Sequence, residues 1–166
     1  MASAGNSALS NKIEDIREIQ DVLVVLVKTE WNEDIISKLE EGCIRVFDQY
    51  NIQHKTITVP GAVEIPFAIR QHSIHQINPA AYISLGCVIR GDTPHFEYVC
   101  QAVTSGVSQL NLTLDVPVVF GVLTVNDQEQ ALERLGGRHG HKGEEAAITA
   151  IKMILLNQSF LREKTL

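Results

Sequence analysis

Short apolar runs alternate along the chain with longer stretches in which apolar residues recur every three or four positions. The run DVLVVLV at 21–27 is rich in β-branched residues and predicts a strand. After the polar KTEWNED, residues Ile35, Ile36, Leu39, Cys43, Ile44 and Phe47 fall at helical spacing. KTITV at 55–59 predicts a second strand closed by Pro60 and Gly61. The apolar pattern of 62–74 then resumes at helical period, with Pro66 early enough to sit in a first turn. AYISLGCVI at 81–89 predicts a third strand, and Phe96, Val99, Val103, Val107, Leu110 and Leu114 mark one face of a long third helix. VPVVFGVLTV at 116–125 predicts a fourth strand. Asn126 is placed to cap a helix over 127–136 that Gly136 and Gly137 end, and 143–158 predicts a last helix.

Four near-continuous apolar strands alternating with helices imply a parallel sheet covered on both faces, an α/β three-layer sandwich of flavodoxin-like kind. In such sheets ligands bind beyond the carboxyl ends of the strands, and each oddly composed loop, KTEWNED, PGAVEIP, RGDTPH and TVND, follows a strand. The last helix is apolar around most of its circumference, from Ala146 through Ile151 and Met153 to Leu156, which predicts that a second subunit covers its far side. We read residues 1–20 as an extension that adds an edge strand to a neighbour or stays mobile, and 21–166 as one domain.

Charge narrows the range of partners. With 14 Lys and Arg against 20 Asp and Glu the net charge is −6, and the basic residues form no stripe that would follow a phosphate backbone, so nucleic acid is excluded as a partner. No apolar run approaches the length of a membrane span, and residues 1–20 lack the apolar centre of a secretory signal, so the expectation is a cytoplasmic protein with no membrane partner. Three cysteines, Cys43, Cys87 and Cys100, occur without a CxxC pair, as suits reduced thiols.

The strand-end loops carry the candidate chemistry. In RGDTPH, Thr93 and Pro94 read as N-cap and first residue of the third helix. Its free amides, with Gly91 allowing close approach and Asp92 alongside, form an anion cradle at the positive end of the helix dipole. His95 then lies beside that anion, where an imidazole can pass protons. An ordinary capped helix start with a half-exposed histidine fits the same residues. Trp31, the one tryptophan, is placed to stack on a heterocycle with Asn32 bonding its edge, or else packs on the next helix. Glu64 and the amides around Gly61, Ala62 and Val63 suit a polyol, though a solvated first-turn carboxylate reads the same way. Arg134, four residues after Gln130, reads as a surface charge, and Lys142 lies in the glycine-rich GGRHGHKGEE, which reads as a helix connector. Neither His72 with His75 nor His139 with His141 has a third ligand at matching spacing, so no metal site is expected. A thiol nucleophile at Cys87 or Cys100 is disfavoured because neither lies in these loops.

VPGAVEIPFAIR, LGCVIRGDTPHFEYV, VPVVFGVLTVNDQEQALERLGGRHGHKG and EEAAITAIKM together resemble the lumazine synthase family, in order and spacing, over about residues 20 to 156. The resemblance implies a transferase of riboflavin biosynthesis. Such an enzyme condenses 5-amino-6-(D-ribitylamino)uracil with 3,4-dihydroxy-2-butanone 4-phosphate to 6,7-dimethyl-8-ribityllumazine, phosphate and water, with no cofactor. By the same resemblance His95 is the acid/base residue, and Gly91, Asp92 and Thr93 with Arg134 form the phosphate site. Trp31 stacks on the pyrimidine, and Ala62, Val63 and Glu64 contact the pyrimidine and ribityl chain. Cys87, Val88 and Ile89 line the pocket, while Phe120, Arg134 and Lys142 come from a neighbouring subunit. Pentamers that pair or close into a sixty-subunit shell are implied, with riboflavin synthase a candidate partner. No insertion separates Arg134 from Lys142, which favours the shell. Tryptophan in place of the usual phenylalanine, and Asp92 where alanine is common, depart from the family pattern; the Asp92 carboxylate weakens an anion cradle unless it faces solvent or meets Arg90. A non-catalytic flavin or phosphometabolite binder and a purely structural shell protein are the rival readings.

Overall fold

In a computed structural model, which describes Ile19 and residues 21–76 and 79–163, a four-stranded parallel sheet has the order β2-β1-β3-β4. The strands are β1 (Leu23–Thr29), β2 (Gln53–Val59), β3 (Ala81–Ile89) and β4 (Val118–Val125), joined through α1 (Glu33–Tyr50), α2 (Ile65–His75) and α3 (His95–Thr113). The register pairs Thr29 with Val59 and Ile89 with Val125, so the carboxyl ends of the strands finish along one rim. In β3 the first seven residues are all buried, the run expected of a central parallel strand covered on both faces. One face carries α2 and α3 through Ile65, Ile69, Val103 and Val107; the other carries α1 and the last helix, α5 (Lys142–Glu163). The proposed extension at 1–20 lies, apart from the buried Ile19, outside the described residues.

Three sequence expectations change. Asp127, not Asn126, caps the short α4 (Gln128–Leu132), its carboxylate accepting from the Gln130 amide at 2.8 Å. Asn126 instead donates its backbone N–H to Gln130 Oε1, 3.0 Å away. The capping carboxylate sits where its side chain reaches the third helical amide, and α4 ends at Leu132, before the two glycines. Gly136 and Gly137 then fall in an antiparallel hairpin of β5 (Leu135–Gly137) and β6 (Gly140–His141), whose short strands carry positive φ at Gly136 and Gly140. Finally, the far side of α5 is covered within the chain: Ala146, Ala147, Ala150, Ile151 and Ile154 are buried where α5 packs against the sheet and against α1 beside it, and Cys43 Sγ donates to the Gly143 carbonyl at 3.1 Å. What stays open on α5 is a strip with Met153, Leu156 and Phe160. Larger exposed apolar side chains lie on the opposite face, with Phe67 69% and Leu112 81% accessible, besides Ile74 and Tyr98.

Candidate functional site

The rim of the sheet holds a cleft of about 660 Å³, within the range of small-molecule sites. Trp31 and Asn32 reach it from the β1–α1 loop, and Gly61, Ala62, Val63 and Glu64 from the turn after β2. Cys87, Val88 and Ile89 line it from the end of β3, and His95 and Val99 from the start of α3. Asn32 adopts the left-handed conformation that its residue type tolerates, and its Nδ2 donates to the Cys87 carbonyl at 2.9 Å. That bond ties the Trp31 loop to the end of β3 and leaves Oδ1 as the group able to meet a ligand. Trp31 is 73% accessible, so its ring is a wall of the cleft and not a core residue. An added Cβ at Gly61 would come within 2.9 Å of the Glu64 carboxylate, so the glycine leaves that group room to lie against the turn.

Thr29 and Val99 also line this cleft and were not singled out from sequence. Thr29 is buried, and its hydroxyl donates to the Trp31 carbonyl at 3.2 Å. A hydroxyl ending an apolar strand in a parallel sheet was the signal available. Cys87 shares the cleft with His95 although no distinctive loop contains it. Burial pushes its thiol up to about 11, so it stays protonated near neutrality and makes a poor nucleophile.

Gly91, Asp92 and Thr93 are exposed and sit beside the cleft without lining it. The helix begins at His95, one residue later than expected, with Pro94 flanking it and the Thr93 hydroxyl accepting from the His95 amide at 3.4 Å. Among the described residues no acceptor engages the amides of Gly91, Asp92 or Thr93. Arg90 does not meet Asp92. Its Nη1 donates to Glu97, its Nε to Asn126 Oδ1 at 3.1 Å, and its guanidinium lies 4.2 Å from the centre of the Phe96 ring.

Phe120, Arg134 and Lys142 are not in the first cleft. With Gly121, Val122, Leu123 and Thr124 they line a second one, of about 310 Å³, along the outer strand β4. Arg134 Nη1 donates to the Gln130 carbonyl at 2.7 Å, which holds the guanidinium at the end of α4 with its remaining N–H groups unused among the described residues. Lys142 is held by both oxygens of Glu145, at 2.7 and 2.8 Å. His141 caps α5, its Nδ1 accepting the Glu144 amide at 3.4 Å, and burial holds its pKa below the usual histidine value. No group of three or more His, Cys, Asp or Glu among the described residues could hold a metal ion, and no helix among them is long and apolar enough to cross a membrane.

A parallel α/β sheet whose carboxyl-end loops gather an indole, a carboxylate and an imidazole round one concavity is a small-molecule site of the open-sheet class. The family model for 6,7-dimethyl-8-ribityllumazine synthase matches residues 21–158, and the chain belongs to that family. Proteins of that name from Parabacteroides distasonis and Bacteroides fragilis are 40% and 47% identical to it over 158 and 132 residues. Those matches cover 93% and 78% of this chain, and 98% and 92% of theirs. The Bdellovibrio bacteriovorus protein of the same name is 46% identical over 138 residues, 82% of this chain and 76% of its own.

Proposed function

We propose that this chain is a transferase that condenses 5-amino-6-(D-ribitylamino)uracil with 3,4-dihydroxy-2-butanone 4-phosphate, giving 6,7-dimethyl-8-ribityllumazine with loss of water and phosphate. Family membership supports the reaction. The observation that carries the assignment of roles is the grouping of Trp31, Glu64 and His95 round one cleft, apart from a second cleft bearing Arg134. In this reading the pyrimidine lies against the Trp31 ring, with the amides of Ala62 and Val63 on its edge and Glu64 accepting from ribityl hydroxyls. Cys87, Val88 and Ile89 form the apolar floor. The unengaged amides of Gly91, Asp92 and Thr93 sit at the positive end of the 19-residue α3 and hold the phosphate, with Arg134 supplying a charged fork.

The amine nitrogen of the pyrimidine attacks the ketone carbonyl, one water leaves to give an imine, phosphate is eliminated to give an enol that tautomerises to a ketone, and the ribitylamine nitrogen closes the ring on that carbonyl with loss of a second water. Each step needs a proton moved and none needs a change of redox state, so His95 as a shuttle is sufficient. Placing two reactive partners side by side supplies most of the acceleration. Phe120, Arg134 and Lys142 reach this cleft from an adjacent copy, so the site is completed by assembly. The exposed apolar residues of α2 and α3 support packing between copies, into pentamers and, with no insertion between Arg134 and Lys142, into a sixty-subunit shell. Riboflavin synthase, which consumes the product, is the proposed partner, and the cytoplasm the proposed compartment.

The test is lumazine fluorescence on mixing the two substrates with and without the protein. Formation well above the spontaneous rate is expected. A rate equal to the spontaneous one would leave the flavin-binder reading in its place, and a native mass of a pentamer would contradict the shell.

A further inference from the structure

The first turn of α3 is poorly anchored by its own packing. The buried residues of that helix begin at Val103, two turns beyond His95, and the loop that precedes it is exposed throughout. Besides Val99, which packs partly buried against the core, Arg90 ties this turn to the sheet. Its backbone amide donates to the Val125 carbonyl at 2.9 Å, which continues the pairing of β3 with β4 and sets its Cα. Its guanidinium is then held on two edges and one face, by Glu97, by Asn126 Oδ1 and by the Phe96 ring. A planar cation restrained in this way has no remaining freedom of orientation, which a lysine ammonium in its place would keep. The pair with Glu97 is open to water, with side chains 43% and 53% accessible, and such pairs add little to stability. Direction, not stability, is what this cluster supplies.

The same cluster runs on toward the second cleft. Asn126, which accepts from Arg90, donates its backbone N–H to Gln130 Oε1 at 3.0 Å, and the Gln130 carbonyl holds Arg134 at 2.7 Å. We propose that Arg90 is a positioning residue for both clefts, setting the turn that presents His95 through Phe96 and Glu97 and the end of α4 that presents Arg134 through Asn126 and Gln130. This rests on the roles proposed above for His95 and Arg134. Because those residues serve different sites in an assembly, one side chain aligns the proton shuttle of one site and the phosphate fork of the next.

The experiment uses the full, assembled protein with Arg90→Gln, Arg90→Lys and Asn126→Ala. For each it measures kcat, KM for both substrates, and the titration of the His95 ring by NMR. Arg90→Gln is expected to lower kcat about tenfold, as a misplaced catalytic group does, and to move the His95 titration midpoint from that of the parent. Arg90→Lys restores charge without the fork or the stack and rescues less than half of the loss. Asn126→Ala raises KM for the phosphate-bearing substrate several-fold and leaves the His95 midpoint in place. Unchanged kinetics and an unchanged midpoint in folded Arg90→Gln would overturn the proposal. So would a loss that appears only together with a fall in melting temperature or native mass. If the parent protein does not accelerate the condensation, the proposed function fails, while the His95 midpoint in Arg90→Gln still decides whether Arg90 positions that ring.

Discussion

The cleft at the ends of β1, β2 and β3 gathers an indole, a carboxylate and an imidazole but no Lys or Arg among its lining residues, whereas the cleft along β4 has Arg134, Lys142 and the Phe120 ring but no carboxylate or imidazole. Each is half of what a condensation between a heterocycle and a phosphate ester needs. The difference lies in where the strands stand. The central strands β1 and β3 end inside the ring of loops that a parallel sheet gathers at its rim, while β4 is the outer strand and presents its side to whatever packs next to it. On the proposed function, contact between copies is what brings the two halves together.

The largest expected effect breaks the cationic half. Arg134→Ala removes the fork proposed for the leaving phosphate and lowers turnover by at least about a hundredfold, read as initial lumazine formation. Melting temperature should hardly move, because among the described residues the side chain is tied to the fold only through the Gln130 carbonyl. An unaltered rate would reduce the second cleft to a surface groove. His95→Ala acts on the other half and costs less, roughly ten- to a hundredfold in kcat, since positioning of both substrates survives without the shuttle. Equal kcat in variant and parent would remove the imidazole from the mechanism.

The two clefts also differ in how much of them the sequence discloses. The first was legible because its parts stand at the ends of apolar runs: once β1, β2 and β3 are recognised as parallel, Trp31, Glu64 and His95 must gather at one rim. The second was not, because the segment from Leu135 to His141 forms strands of three and two residues set by glycines at positive φ, too short to leave any periodicity. Reading those glycines as a helix end was reasonable locally and missed the hairpin. The apolar circumference of α5 misled for a related reason: the element covering its far side is α1, some hundred residues earlier in the chain, as the contact of Cys43 with Gly143 records. Arg90 stands two residues from Asp92 in sequence, but its partners at Glu97 and Asn126 follow from the meeting of α3 with the end of β4.

The smallest expected effect distinguishes the halves by pH. His141, in the hairpin beside Lys142, caps α5 through the lone pair of Nδ1 and has a pKa held below the usual histidine value, chiefly by burial. The unfolded chain therefore binds more protons than the folded one below about pH 6.5, so stability is fully present above that pH and declines as pH falls. Buried His72, bonded through Nδ1 to the Tyr82 hydroxyl at 2.9 Å and likewise depressed by burial, acts in the same direction. His141→Asn keeps an oxygen at the cap and removes the titration, so the fall in melting temperature between pH 7 and 5 should become shallower. A slope identical to the parent's would mean that this cap does not sense protons.

Whether the site is shared between copies is decided most directly by mixing. His95→Ala and Arg134→Ala chains, each with a tenth of parental activity or less alone, are unfolded together, reassembled in equal amounts and assayed for lumazine formation. If His95 of one copy works with Arg134 of the next, about a quarter of the contacts in a random assembly bring two intact halves together, and the mixture recovers about a quarter of parental activity. Activity no greater than the average of the two variants, in mixed assemblies of native mass, would contradict the shared site.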